Sequence, residues 1–349
     1  MKKTTIGGQA LIEGIMMKGP ERTVMAVRNT GGEIITEDVA ASGNALPKIL
    51  KAPIIRGIVN FVLSMKDGYK CLMRSAELSG FADIEDEAER KKAHEKRRRK
   101  AYKKAIKKGL SEEEAKALSD AAAEKEPDRD NEKLMAVVMT VASVLGVGLA
   151  FLLFFYLPSA LFDFVNGLAS KALTPLKTLF EGILKILVFL CYLILVSKME
   201  DIKRVFMYHG AEHKTIFCYE SGEELTVENV RKFKRFHPRC GTSFMLIMLV
   251  VGIVLSFVLV TLFPALNEPS MRLYWVLIKL VTIPLICGLS YELIKICGRY
   301  DNPLTRAISA PGMWLQRITT AEPEDSMIQV AITALSAVIP EDKSKDDWK

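Results

Sequence analysis

The sequence predicts an α-helical polytopic membrane protein with four transmembrane helices, a small cytoplasmic β unit and a C-terminal amphipathic helix. Half of the 349 residues are hydrophobic, yet 26% are charged, a combination typical of membrane proteins with polar loops. Two segments, 134–162 and 242–267, contain no charged residue. A bilayer core about 30 Å thick needs only about 20 helical residues, so each segment is long enough to cross it.

The chain before these spans begins with two short predicted regions. Residues 1–44 are predicted to form a β unit, because short apolar runs alternate with turn sequences rich in Gly, Pro and Asn. No apolar signal sequence follows Met1, so insertion would depend on internal helices. Residues 45–77 are apolar and basic but are interrupted by Pro47, Pro53 and Gly57. We therefore expect this segment to lie at the membrane interface or against the helix bundle.

A charged insert is predicted at residues 78–133. Its central part, 90–108, contains twelve Lys/Arg residues and one acid. One interpretation is a solvated helical hairpin or a partly disordered linker. The other is a basic surface that binds anionic lipid headgroups or RNA. Only Tyr102 offers an aromatic platform among the lysines, so we expect no sequence-specific nucleic-acid recognition.

The charge distribution predicts the orientation of the four spans, at 134–162, 176–197, 242–267 and 273–296. The second and fourth spans contain a few Lys and Glu residues, but each has a long apolar half. The loop 198–241 contains nine Lys/Arg residues, whereas the two short connections contain one each. This bias predicts that the long loops and both termini are cytoplasmic. A final helix in the region 297–349 has an apolar face and is expected to dock on the β unit.

A cluster of His and Cys residues in the loop 198–241 is the strongest chemical signal. His209 and His213 are four residues apart and would lie on one face if the preceding helix continued, with Glu212 beside them. His237 and Cys240 follow just before the third span. A set of three His and one Cys suits tetrahedral Zn²⁺, and three of these four ligands would leave an open position for water.

Several alternatives remain open for this cluster. The order His-x-x-Glu-His also matches the inverted zinc-peptidase motif, in which Glu212 would be the general base and Glu292 a more distant ligand or base. The histidines would otherwise cap a helix, contact lipid phosphates or form a closed structural zinc site. Glu292 would otherwise pair with Lys295 or Arg299, and Cys240 would be an inert thiol.

Four motifs carry a resemblance to a known family. They are GGQALIEGIMMKGP at 7–20, YHGAEHK at 208–214, RFHPRCGTSF at 235–244, and a tail with PG at 311–312 and TTAEP at 319–323. The chain resembles the YqhQ-like bacterial membrane proteins, a family of unknown function described as metal-dependent enzymes. The resemblance implies a multi-pass protein of the bacterial cytoplasmic membrane with a metal site at His209, His213, His237 and Cys240. It also raises the interest of Gln9 and Glu13, which would face the histidines.

Two functional hypotheses follow. The first is a zinc-dependent hydrolase at the inner leaflet, with Glu212 or Glu292 as the base and a lipid-linked or membrane-peptide substrate. The second is a non-enzymatic scaffold or biogenesis factor with a structural zinc site, in which residues 90–108 contact membrane lipids, a ribosome, a translocon or another membrane protein. A transporter is a weaker third reading, because the spans contain few ionisable residues.

Overall fold

The computed structural model describes residues 3–39, 47–80, 143–170 and 172–346, with isolated residues between 95 and 116 and at 141. The chain divides into two compact units, Gly80–Tyr156 and the remainder, Met1–Ser79 with Leu157–Lys349. In the smaller unit, the isolated residues between 95 and 116 are helical except Ser111. Most of the predicted charged insert, and the predicted start of the first span at Leu134, lie outside the described residues.

The predicted β unit is confirmed as a four-stranded antiparallel sheet in the order β1-β2-β3-β4. Its strands are β1 (Gly7–Leu11), β2 (Gly14–Lys18), β3 (Thr23–Arg28) and β4 (Ile34–Val39). Alternate residues of β2 point to opposite faces. Ile15 and Met17 belong to one buried cluster, whereas Met16 belongs to a second cluster with Cys71. The central strands are therefore covered on both faces.

The segment predicted at 45–77 forms a helix, α1 (Ile55–Leu78), that packs on the fourth long helix, α7 (Arg272–Arg299). Pro47 and Pro53 both precede the helix, so they do not interrupt it. Gly57 lies where α7 approaches closely, since a Cβ there would lie 2.7 Å from the Cβ of Tyr291. Of the two predicted placements, the structure therefore has this segment packed against the bundle.

Within the described residues, four helices are long and apolar enough to cross a membrane by length and composition. They are Ser143–Leu168 (α2), Lys177–Val196 (α3), Gly241–Leu262 (α6) and Leu273–Arg299, the greater part of α7. The third ends earlier than the predicted 267, because Phe263 precedes Pro264 and a residue before proline is disfavoured in a helix. A short 3₁₀ turn, Pro264–Asn267, follows it.

The segment 198–241, predicted as the connection between the second and third spans, is mostly helical. It contains α4 (Glu200–Glu220) and α5 (Val227–Arg231). α3 does not run on into α4, because Met199 is extended and a new helix begins at Glu200. Glu200 and Asp201 in the first turn of α4 favour a start at this position.

Two further helices complete the larger unit: α8 (Pro303–Thr319) and α9 (Asp325–Val338). α8 begins with a capping box between Asn302 and Thr305. α9 is the predicted C-terminal amphipathic helix, and its buried Ile328 and Leu335 lie in one cluster with Ile15 of β2 and Tyr208 of α4. The prediction that it docks on the β unit is confirmed. α4 is thereby held against the sheet and α9.

Candidate metal centre

The buried face of α4 carries three of the predicted site residues. His209, Glu212 and His213 are each at most 9% exposed. The spacing of four residues brings the two imidazoles together edge to face, with ring centroids 4.4 Å apart. Burying three ionisable groups is costly unless each has a polar partner. Backbone carbonyl groups are the partners of the two imidazoles, and the backbone of Gly8 lies against Glu212.

Cys240 completes a group of three metal-type ligands. It is the N-cap residue of α6 and is 5% exposed. Its Sγ lies 3.1 Å from Nε2 of His209. One ligand atom each from His209, His213 and Cys240 lie within 4.8 Å of one another. Three protein ligands with a fourth position left for water are the usual composition of a catalytic zinc site.

Backbone carbonyl groups orient both imidazoles. Nδ1 of His209 lies 2.8 Å from the carbonyl oxygen of Thr319, and Nδ1 of His213 lies 2.5 Å from that of Arg235. A carbonyl oxygen only accepts, so each Nδ1 must carry the hydrogen and donate it. In a neutral ring this leaves Nε2 with a free lone pair. Metal-binding histidines are commonly held in this way by a second group.

The charge states of Cys240 and His209 depend on each other. Burial opposes the charged form of Cys240, but His209 and His213 lower the pKa of its thiol well below the usual value. Burial also opposes the charge on His209, but Cys240 raises the pKa of that imidazole to about 9. Cys240 is therefore favoured as the thiolate, which is the form that binds metals, and a bound metal ion would take the place of the proton on Nε2 of His209.

Glu212 is fixed beside the three ligands. The backbone of Gly8 in β1 lies against its carboxyl group and favours the charged form. A Cβ on residue 8 would lie 2.9 Å from Cδ of Glu212, so the absence of a side chain allows this approach. Burial raises the pKa of Glu212 against the opposing charges of His209 and His213. The arrangement holds a carboxyl group at the cluster without making it one of the three grouped ligands.

His237 lies at the edge of the cluster rather than within the group of three. Its ring centroid is 5.6 Å from that of His213. Its Nε2 is buried 3.6 Å from a carboxylate oxygen of Glu220 and forms no hydrogen bond within the described part of the chain. Burial lowers the pKa of His237 to about 4. The structure thus brings together three of the four predicted ligands.

Glu292 is engaged elsewhere. Nε of Arg56 donates to one of its carboxylate oxygens at 2.7 Å, and Nη2 of the same arginine donates to the other at 2.5 Å. Glu292 therefore forms an ion pair, which was one of the predicted alternatives, but its partner is Arg56 of α1 rather than Lys295 or Arg299. Its predicted place as a ligand or base at the histidines finds no support in this geometry.

Gln9 and Glu13 do not face the histidines, contrary to expectation. The side chain of Gln9 lies against Gly68 of α1. Glu13 accepts two hydrogen bonds from Arg204, at 2.5 and 2.6 Å, and one from Tyr208 at 3.1 Å. The β unit reaches the cluster through the backbone of Gly8 instead.

Sequence reasoning missed Glu220 and the two carbonyl groups that orient the ligands. Glu220 is buried, forms an ion pair with Arg239 and accepts a 2.8 Å hydrogen bond from the backbone N–H of Thr4. It lies seven residues after His213, two helical turns along the same face, so its spacing was a usable signal. The carbonyl groups of Thr319 and Arg235 give no signal in the sequence, because every residue has a backbone carbonyl group.

The described part of the chain is predominantly helical and contains four membrane-length helices, a four-stranded sheet and a buried group of two His and one Cys. The chain belongs to the family described as "Protein of unknown function (DUF1385)", which matches residues 52–341. It is 31% identical over 336 residues to the "Uncharacterized protein YqhQ" of Bacillus subtilis (strain 168), covering 95% of this chain and 92% of that protein. The predicted family resemblance is confirmed. No solved structure matches the chain.

Proposed function

We propose that this chain is a zinc-dependent hydrolase of the bacterial cytoplasmic membrane, with its site at the inner leaflet and both termini in the cytoplasm. The observation that carries the proposal is the convergence of His209, His213 and Cys240, with both Nδ1 atoms held by backbone carbonyls. That arrangement directs two imidazoles and a thiolate at one point and reserves no fourth protein ligand among the grouped residues.

The placement at the inner leaflet is supported by where the cluster lies along the long helices. Cys240 is at the N-terminal end of α6, and α4 follows the C-terminal end of α3. The same end of the helices adjoins the segment 198–241, which contains nine Lys/Arg residues. Positive residues accumulate on the cytoplasmic side of bacterial membrane proteins, so the site would face the cytoplasm.

The residues of the cluster have distinct roles in this proposal. Bound zinc would lower the pKa of water to about 7 and polarise a carbonyl or phosphoryl oxygen. The carboxylate of Glu212 accepts a proton, since it is buried beside the ligands and fixed by Gly8. Thr319 and Arg235 hold the imidazoles in place. Glu292 has a structural role with Arg56.

Metal analysis of the purified full-length chain tests the site. The protein is prepared in detergent with an affinity tag that contains no histidine, and its zinc is measured by mass spectrometry. We expect about one zinc ion per chain, and loss of stoichiometric zinc in His209→Ala, His213→Ala and Cys240→Ser. Cys191→Ser, at an exposed cysteine of α3, is the matched control. Wild-type protein without zinc, or ligand variants that retain it, would refute the metal site.

The hydrolase itself needs a separate measurement. Zinc-loaded protein is incubated with a bacterial lipid extract and a membrane-peptide library, and water-soluble products are identified by mass spectrometry. Glu212→Gln should keep its zinc and release no product, because the amide cannot accept the proton. If Glu212→Gln releases product at the wild-type rate, the role of Glu212 is wrong.

A second candidate function is a scaffold or biogenesis factor, favoured by the twelve Lys/Arg residues at 90–108. In that case zinc would be structural, and the basic segment would contact a ribosome, a translocon, another membrane protein or anionic lipid. Deleting 90–108 separates the two candidates. Loss of a co-purifying partner with unchanged zinc supports the scaffold, whereas unchanged partners and activity support the hydrolase.

A further inference from the structure

An open groove lies where α3 ends and α4 begins. Its volume is about 440 Å³. One part of its lining is apolar and includes Ile194, Phe206 and Ile318, and the other part carries the basic residues Lys203, Arg235 and Arg317. An apolar wall beside a cluster of cations matches an amphipathic anion better than a wholly polar ligand.

The groove has an excess of positive charge. Lys203 and Arg317 are exposed, and neither side chain has a hydrogen bond or ion pair with any other described residue. Arg235 is 3.3 Å from Glu322, the one acid among the described residues of the lining, which also pairs with the buried Lys214. Glu322 is therefore already occupied, and two cations remain available for an anionic ligand.

The groove lies at the end of a membrane-length helix, where the surface of the bilayer is expected. Ile194 and Ser197, at the end of the membrane-length helix α3, form part of its lining. Trp314 lies one helical turn before Arg317 on α8 and is 65% exposed. Tryptophan is enriched at the level of lipid headgroups, where its ring is half in apolar surroundings. Basic side chains at this level meet the phosphates of the leaflet.

The groove and the metal centre share two backbone segments. Arg235 lines the groove, and its carbonyl group orients His213. Thr320 and Ala321 line the groove directly after Thr319, whose carbonyl orients His209. A ligand in the groove therefore contacts the same segments that hold the two imidazoles.

We infer that this groove binds the phosphate headgroup of an anionic membrane phospholipid, with the phosphate between Lys203 and Arg317 and an acyl chain along Ile194 and Ile318. The inference rests on the membrane placement proposed above. It names the substrate class of the proposed hydrolase, which is a phospholipid of the inner leaflet. It does not depend on which metal is bound.

Native mass spectrometry of the full-length protein in detergent tests the inference. The protein is titrated with phosphatidylglycerol and, separately, with phosphatidylcholine of the same acyl chains. The double variant Lys203→Ala/Arg317→Ala is compared with Lys18→Ala/Lys234→Ala, which removes two exposed positive charges outside the groove. Each lysine or arginine near an anionic headgroup is worth about fivefold in binding. We therefore expect the groove variant to bind phosphatidylglycerol up to about thirtyfold more weakly and the control to bind it unchanged.

Three results would overturn the inference. They are equal binding of both lipids by the wild type, equal weakening in the groove and control variants, and displacement of the lipid by inorganic phosphate at equal concentration. The last result would assign the site to a soluble phosphate compound. Zinc content measured on the same samples separates this inference from the metal site, because the groove variant should keep its zinc. Lipid binding without zinc would refute only the metal proposal.

Discussion

Substituting Gly210 by alanine tests how the metal centre is assembled. Gly210 follows His209 on α4, and a Cβ at this position would overlap the carbonyl oxygen of Ala321. The two backbones are joined nearby, because the N–H of Ala321 donates to the carbonyl of Phe206 at 2.8 Å. Neither contact is with the flexible end of a side chain, so the segment after α8 must move away from α4.

The size of the effect follows from the distances. The bond from Nδ1 of His209 to the Thr319 carbonyl is 2.8 Å long, so a further separation of about 0.7 Å takes it to the limit of hydrogen bonding. Overpacking of this kind costs about 1–3 kcal/mol of stability. Loss of a group that orients a metal-binding histidine reduces metal affinity about 10- to 100-fold. Gly210→Ala should show both effects.

The assay is competition for zinc with a chelator of known affinity, together with thermal unfolding in the same detergent. Gly241→Ala is the matched control, because Gly241 adjoins the ligand Cys240 just as Gly210 adjoins His209. A Cβ at Gly241 meets no atom within 4 Å, so its zinc affinity should not change. Equal zinc affinity in the two variants would show that the Thr319 carbonyl does not position His209.

Three further predictions concern residues outside the ligand set. Glu292→Gln should keep its zinc and lose about 1 kcal/mol of stability in thermal unfolding, because it weakens the pair with Arg56; loss of zinc would restore Glu292 as a ligand. Asn302→Ala should cost about 1 kcal/mol by removing the cap of α8, and Asn302→Ser should recover most of it. Leu335→Ala should cost about 2–5 kcal/mol because Leu335 is fully buried, whereas the exposed Ser336→Ala should change the melting temperature little.

The membrane-length helices and the sheet could be predicted because their signals are local. A long run without charge is visible in the sequence whatever it packs against, as in α6. The helix α1 was harder to predict, because Pro53 and Gly57 were taken as interruptions. In the structure Pro53 stands before the helix, and Gly57 permits contact with Tyr291 of α7. That contact joins residues more than 200 positions apart, and no local pattern indicates it.

The ligand types of the site could be predicted, but their final grouping could not. His209 and His213 share a helix, so their spacing fixes their relation. Whether His237 or Cys240 joins them depends on the turn before α6. Gln316 of α8 sets that turn, since it accepts a hydrogen bond from the N–H of His237 and donates one to its carbonyl, both at 2.7 Å. The partner of Glu292 was likewise decided by α1, whose helical structure was not foreseen.

The metal centre draws on four separate parts of the chain: β1 through Gly8, α4, the turn before α6, and the end of α8. Neither imidazole is oriented by its own helix, since both accepting carbonyls belong to other segments. The ligand geometry therefore exists only when these parts are packed together. A ligand that binds only the folded chain stabilises it by about 4 kcal/mol at a free concentration a thousand times its dissociation constant. Zinc would thus join α4 to the start of α6 and stabilise the segments packed around them, and this stabilisation belongs equally to a catalytic and to a structural ion.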